Sequence, residues 1–146
     1  MTIRKYKASD RDALLEVWWK ASALAHPFLS EDFMAQEAEY MRNVFRADGE
    51  RWVLEENGQP IGFIALIDNE IAGLFLHPSF HGKGLGRAMV DHAVSLKGPL
   101  RVEVFKENAI GRRFYESYGF VFEERYLHKD SGSWIDRMVM PSSPIR

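Results

Sequence analysis

A chain of 146 residues with 46% apolar and 27% charged residues has the balance of one soluble globular domain, long enough to bury a single core. Its formal net charge of −2 argues against nucleic acid or an anionic membrane as the main partner, while leaving room for a local basic patch that holds an anionic ligand. The absence of cysteine excludes disulfides, thiolate nucleophiles and cysteine-ligated zinc, and no metal is expected.

In chain order, residues 2–6 alternate as a short first strand. Ser9 precedes Asp10 and Asp12, a helix start, and Leu14, Val17, Trp18, Ala21 and Leu24 follow at helical spacing until Pro27 ends the run. Ser30, Glu31 and Asp32 open a second helix. Its predicted buried stripe is Phe33, Met34, Glu37, Tyr40, Met41, Val44 and Phe45, with Glu37 the one polar intruder, and Asp48-Gly49 closes it. The period then changes to strands at 52–55, 61–67 and 71–76, joined by Glu56-Asn57-Gly58-Gln59 and Asp68-Asn69-Glu70 turns into an antiparallel meander. Helices over 85–95 and 109–118 alternate with strands over 100–105, 120–127 and 134–140. No repeat or linker interrupts the pattern. The reading is one α/β domain over 1–146 with a mixed, mostly antiparallel sheet of six to seven strands and about four helices. Residues 1–6 lack the apolar run of a signal peptide and no stretch approaches the ~20 apolar residues of a membrane span, so the expected compartment is the cytoplasm.

Between the third meander strand and the next helix lies Gly82-Lys83-Gly84-Leu85-Gly86-Arg87. Alternate glycines let the backbone turn sharply and approach a ligand closely. The helix start presents unpaired N–H groups and partial positive charge suited to phosphate, with Lys83 and Arg87 adding mobile charge. A P-loop needs Ser or Thr after the lysine, and Gly84 stands there; a dinucleotide fingerprint needs glycine at Met89. The plain alternative is a helix-entry loop whose glycines serve only packing.

Further on comes Asn108-Ala109-Ile110-Gly111-Arg112-Arg113-Phe114-Tyr115-Glu116-Ser117-Tyr118-Gly119-Phe120. A strand, His77-Pro78, the glycine turn, a helix, a strand and Asn-x5-Phe-Tyr-x3-Gly-Phe together resemble the GNAT superfamily of N-acetyltransferases. The match is close over 52–122, and Ala25-His26-Pro27-Phe28-Leu29-Ser30 looks like a subgroup of small stand-alone bacterial members. The resemblance implies acetyl-CoA as co-substrate, with its pyrophosphate on the backbone N–H groups of Gly82, Lys83, Gly84, Leu85, Gly86 and Arg87. It places the pantetheine arm along Leu74, Phe75 and Leu76, on a strand that carries a bulge and splays from its neighbour. It also puts Asn108 against the coenzyme and Tyr115 facing the sulfur. Two residues depart from the family pattern. His81 stands where the family usually has Arg or Gln, a position that can help hold the turn and the phosphate, so a histidine is expected to make binding weaker or pH-sensitive, against a tolerated loop substitution as the plain alternative. Gly111 stands where Ala is usual, which is expected to loosen the start of that helix.

Amide formation from a thioester needs a neutral amine, a stabilised oxyanion and an exit for the thiolate. The expectation is direct attack, with free N–H groups near Phe75 and Leu76 for the oxyanion and Tyr115 hydrogen-bonding the thiolate. Tyr115 as a mere core residue is the plain alternative. Glu70 and Glu103 are candidate bases because each lies on or beside a strand flanking the cleft, against solvated surface glutamates as the alternative. His26 serves as base, acceptor contact or simple helix cap.

The acceptor wall is assigned to the first two helices, with His26, Phe28 and Leu29 as contacts within the aromatic weight of Trp18, Trp19, Phe33 and Tyr40. The acceptor is expected to be an amine, either a small molecule or on a protein or peptide, without nucleic acid or membrane, and a homodimer is compatible with the sequence. The rival class is a coenzyme A-binding regulatory module without turnover, prompted by His81.

Overall fold

The computed structural model describes residues 1–44 and 49–141. Its strands are β1 (Thr2–Lys5), β2 (Glu50–Glu56), β3 (Gln59–Ile67), β4 (Glu70–Leu76), β5 (Arg101–Phe105), β6 (Val121–His128) and β7 (Ser133–Val139). Its helices are α1 (Arg11–Ala25), α2 (Glu31–Val44), α3 (Leu85–Lys97) and α4 (Ala109–Tyr118). One sheet runs in the order β1-β2-β3-β4-β5-β7-β6, antiparallel except where β4 meets β5. The last hairpin inserts β7 between β5 and β6, leaving β6 as an edge strand whose residues are almost all exposed.

Alternation along the strands divides the core in two. Val53 and Phe63 point to one face, where Leu14 and Trp18 of α1 and Met34 of α2 cover them. Leu54 and Ile64 point to the other, under Met89, Val90 and Ala93 of α3 and Tyr115 of α4. Fully burying an aliphatic or aromatic side chain of this size contributes roughly 1.5–3 kcal/mol, so both helix layers are fixed mainly by apolar burial.

The helix ends follow local chemistry. The first helix begins later than Ser9 suggests, because Ala8–Asp10 form a 3-10 turn. The buried Asp10 carboxylate accepts from the Lys7 backbone N–H at 2.8 Å and from both Arg4 terminal nitrogens at 2.8 Å, which holds it below the usual carboxylate range. Ser30 Oγ accepts from the Phe33 N–H at 3.1 Å and caps α2. In α2 the stripe buries Phe33 and Met34, while Tyr40 is 61% exposed, because that end of the helix borders an open cleft. The side chain of Val44, together with Phe45 and Asp48, lies outside the described residues. No helix among the described residues is long and apolar enough to cross a membrane.

Candidate active site

A cavity of about 690 Å³ opens where β4 and β5 part, between the α1–α2 layer and the N-terminal ends of α3 and α4. The divergence is built into β4. Its pairing with β3 runs Leu66↔Ile71 and then Ala65↔Gly73, so Ala72 is an extra residue, a bulge. Before the bulge the odd-numbered backbone groups face β5, as in the bond from the Arg101 N–H to the Asn69 carbonyl at 3.0 Å. After it they face β3, as in the bond from the His77 N–H to the Ile61 carbonyl at 2.8 Å. The even-numbered N–H groups of Leu74 and Leu76 therefore turn toward β5. There they meet no strand, since β4 and β5 pair only at Glu70↔Arg101 and Ile71↔Val102. Of the free N–H groups expected near Phe75 and Leu76, that of Leu76 faces the gap, whereas the Phe75 backbone faces β3: a Cβ on Gly62 of β3 would stand 2.9 Å from the Phe75 carbonyl oxygen.

At the cavity's far end the chain leaves β4 through the glycine turn. Gly82 and Gly84 both sit at φ +77°, a left-handed conformation that a β-branched residue adopts only at a cost of about 1–3 kcal/mol. Gly84 is the N-cap of α3 and brings no side chain to it. The first intrahelical bond runs from the Ala88 N–H to the Gly84 carbonyl at 3.1 Å, which leaves the N–H groups of Leu85, Gly86 and Arg87 without a helical acceptor. Five residues after Leu76, His81 donates from Nε2 to the Leu76 carbonyl at 2.8 Å, so the histidine pins the turn to the end of β4. Lys83 lies over the Phe80 ring at 5.3 Å and Arg87 over Tyr118 at 4.7 Å. Arg87 lines the cavity, whereas Lys83 points away from it.

Asn108 is 9% exposed and caps α4: its Oδ1 accepts from the Gly111 N–H at 2.8 Å. That bond fixes which way the amide faces, so Nδ2 donates to His26 Nε2 at 3.2 Å. Gly111 permits the arrangement. A Cβ there would lie 2.6 Å from Asn108 Nδ2 and 3.1 Å from a Val104 methyl, so alanine would force the cap aside. His26, between Phe28 at 5.7 Å and Phe105 at 5.1 Å, is held neutral by burial, its pKa lowered to about 4. Its Nε2 lone pair is already engaged, which disfavours it as a base.

Tyr115 reaches the cavity from α4 and is 6% exposed, packed at 5.2 Å against both Phe114 and Phe120. Burial raises its pKa well above the ordinary phenol value, so the hydroxyl remains a proton donor at neutral pH. Glu103 also lines the cavity, but its carboxylate is occupied: Tyr126 donates to Oε1 at 2.8 Å, and Arg137 to Oε2 at 3.0 and 3.2 Å. Glu70 is not brought to the cavity. It sits at the closed end of the strand pair, ion-paired with Arg101 at 3.4 Å. Phe28 stays behind His26, while Leu29 lines the cleft. Glu37 lines it too, and its place in an otherwise apolar stripe was the sequence signal for that position.

Comparison with known proteins agrees with this geometry. Residues 47–122 match the model of the acetyltransferase (GNAT) domain. The peptidyl-lysine N-acetyltransferase YjaB of Escherichia coli K12 is 30% identical over 133 residues, which cover 90% of each chain. The peptidyl-lysine N-acetyltransferase YiaC of the same organism is 26% identical over 96% of this chain and 92% of its own. The solution structure of apo-form YjaB from Escherichia coli superposes with a TM-score of 0.87, covering 97% of this chain and 98% of that one at 25% identity. The chain belongs to the GNAT family and is an acetyl-CoA-dependent N-acetyltransferase.

Proposed function

We propose that the protein transfers the acetyl group of acetyl-CoA to a primary amine by direct attack, with a lysine side chain as the acceptor class. The acceptor class is carried over from the relatives, which are named as peptidyl-lysine acetyltransferases. The observation that carries the reaction is the Ala72 bulge, which turns the Leu74 and Leu76 N–H groups into a gap where no strand pairs with them. The amine lone pair attacks the thioester carbon, and a preorganised N–H at the developing oxyanion contributes ~3–4 kcal/mol. Collapse breaks the C–S bond and expels the thiolate. Tyr115, kept protonated by burial, donates a hydrogen bond to the sulfur as charge builds there. Full proton transfer from so weak an acid is uphill, so the thiolate takes its proton from water. With the Glu103 carboxylate bonded and Glu70 outside the cleft, the amine also loses its proton through water.

Leu85, Gly86 and Arg87 N–H groups suit the coenzyme pyrophosphate, with Arg87 beside them. The test is thiol release from acetyl-CoA with a lysine peptide, combined with a crystal structure holding acetyl-CoA. Turnover with the pyrophosphate on residues 82–87 is the expected result. Donor binding without thiol release over a broad amine panel would instead favour a coenzyme A-binding regulatory module.

A further inference from the structure

The cavity has two ends of opposite electrical character. Arg87 and Arg113 line it on the α3–α4 side, where the helix N-termini add partial positive charge. Among the described residues only two acidic ones line it, Glu103 and Glu37. Glu103 is bound by Arg137 and Tyr126. Glu37 makes no hydrogen bond or ion pair among the described residues, yet it is half-buried on the α2 wall beside Trp18, Leu29, Met34, Tyr40 and Met41.

We propose that Glu37 is the acceptor-recognition residue of this cleft, a carboxylate that seats the ammonium of a cationic primary amine against the apolar α1–α2 wall. It rests on the amine-acetyltransferase reading above and adds the residue that chooses the amine. An alkylammonium on a carbon chain has two parts, and the wall offers both partners: thioether, indole and phenol surface for the stem, and one unpaired carboxylate for the head. Burial raises the Glu37 pKa above its ordinary value, with His128 opposing and Asp130 reinforcing the shift. A half-buried carboxylate without a partner is costly, and an arriving cation relieves that cost. The same nitrogen attacks only as the neutral amine, so it leaves Glu37 and gives up its proton before the chemical step. Glu37 acts on the encounter that precedes attack, and its removal raises KM rather than lowering kcat.

The test titrates Nα-acetyl-lysine amide into coenzyme A-loaded protein by calorimetry, in wild type, Glu37→Gln and Glu37→Asp, with the norleucine analogue as the uncharged probe. Circular dichroism verifies that each variant is folded. The expected result is roughly 10-fold weaker lysine-probe binding in Glu37→Gln, an intermediate value in Glu37→Asp, and no change for the norleucine probe. In turnover with a lysine peptide, KM rises by about the same factor while kcat stays within about twofold. Equal lysine-probe affinity in wild type and Glu37→Gln overturns the assignment, as does wild type giving no binding heat. If the binding difference appears but no lysine peptide is acetylated, Glu37 keeps its role and the proposed reaction is the part that fails.

Discussion

The two sides of the cleft are made of different material. On the proposed donor side the groups that face the cavity are mostly backbone: the Leu74 and Leu76 N–H groups on β4 and the N–H groups at the start of α3 that have no helical acceptor. On the acceptor side they are side chains of α1, α2 and the loop between them, including Trp18, His26, Leu29, Glu37 and Met41. A backbone site depends on conformation, so it is written in glycines and a bulge. A side-chain site is rewritten by any single substitution. The donor is thus fixed by the fold, and the acceptor is chosen residue by residue.

That contrast is open to direct attack. The largest effect is expected from Tyr115→Phe, which removes the hydroxyl proposed to hydrogen-bond the departing thiolate. Its kcat should fall about 10–1000-fold with the acetyl-CoA KM nearly unchanged, measured by thiol release. An unaltered kcat would make Tyr115 a core residue only. Next is Gly84→Val, which places a β-branched residue at φ +77° and should weaken acetyl-CoA binding by up to about 100-fold in a calorimetric titration. Full affinity in that variant would mean that the turn's conformation does not matter.

Asn108→Ala tests the joint between the two sides. It removes the α4 cap and the partner of His26 together, and should lower stability by about 1–2 kcal/mol in urea denaturation. A further effect is a pH slope. Unfolded, His26 takes up its proton near its ordinary value of 6.5, but folded only near pH 4, so stability falls as pH drops through that window. Urea midpoints across the same range should show a shallower fall in His26→Gln. An identical slope would mean that His26 is not held neutral in the folded protein.

The meander, the glycine turn and α4, whose observed bounds are those its periodicity predicts, were legible because each rests on local chemistry. So was the order of the two motifs, from which residues 74–76 and 82–87 are proposed as the coenzyme site. Of the two positions named for free N–H groups, Leu76 faces the gap and Phe75 does not, because bulge placement depends on pairing with β3, which no local pattern states. Glu70 and Glu103 looked equivalent for the same reason. Their separation follows from where β4 and β5 part and from Arg101, Arg137 and Tyr126, which come from other elements. The His26–Asn108 bond joins residues 82 positions apart, and only the folded packing of the α1–α2 loop on α4 reveals it. Tyr40 followed the apolar period yet stays exposed, since periodicity cannot tell a core from an open cleft.

The parting of β4 from β5 has a consequence for the protein's upkeep. A sheet that stops pairing after Ile71 and Val102 is one rung short, and the extended arm of the donor has the shape to supply the missing rung. The substrate is then also a temporary piece of the architecture. A ligand that binds only the folded chain adds about 2.7 kcal/mol at one hundred times its dissociation constant. Bound as proposed, acetyl-CoA would raise the protein's resistance to unfolding, and so would the coenzyme A product, which carries the same arm.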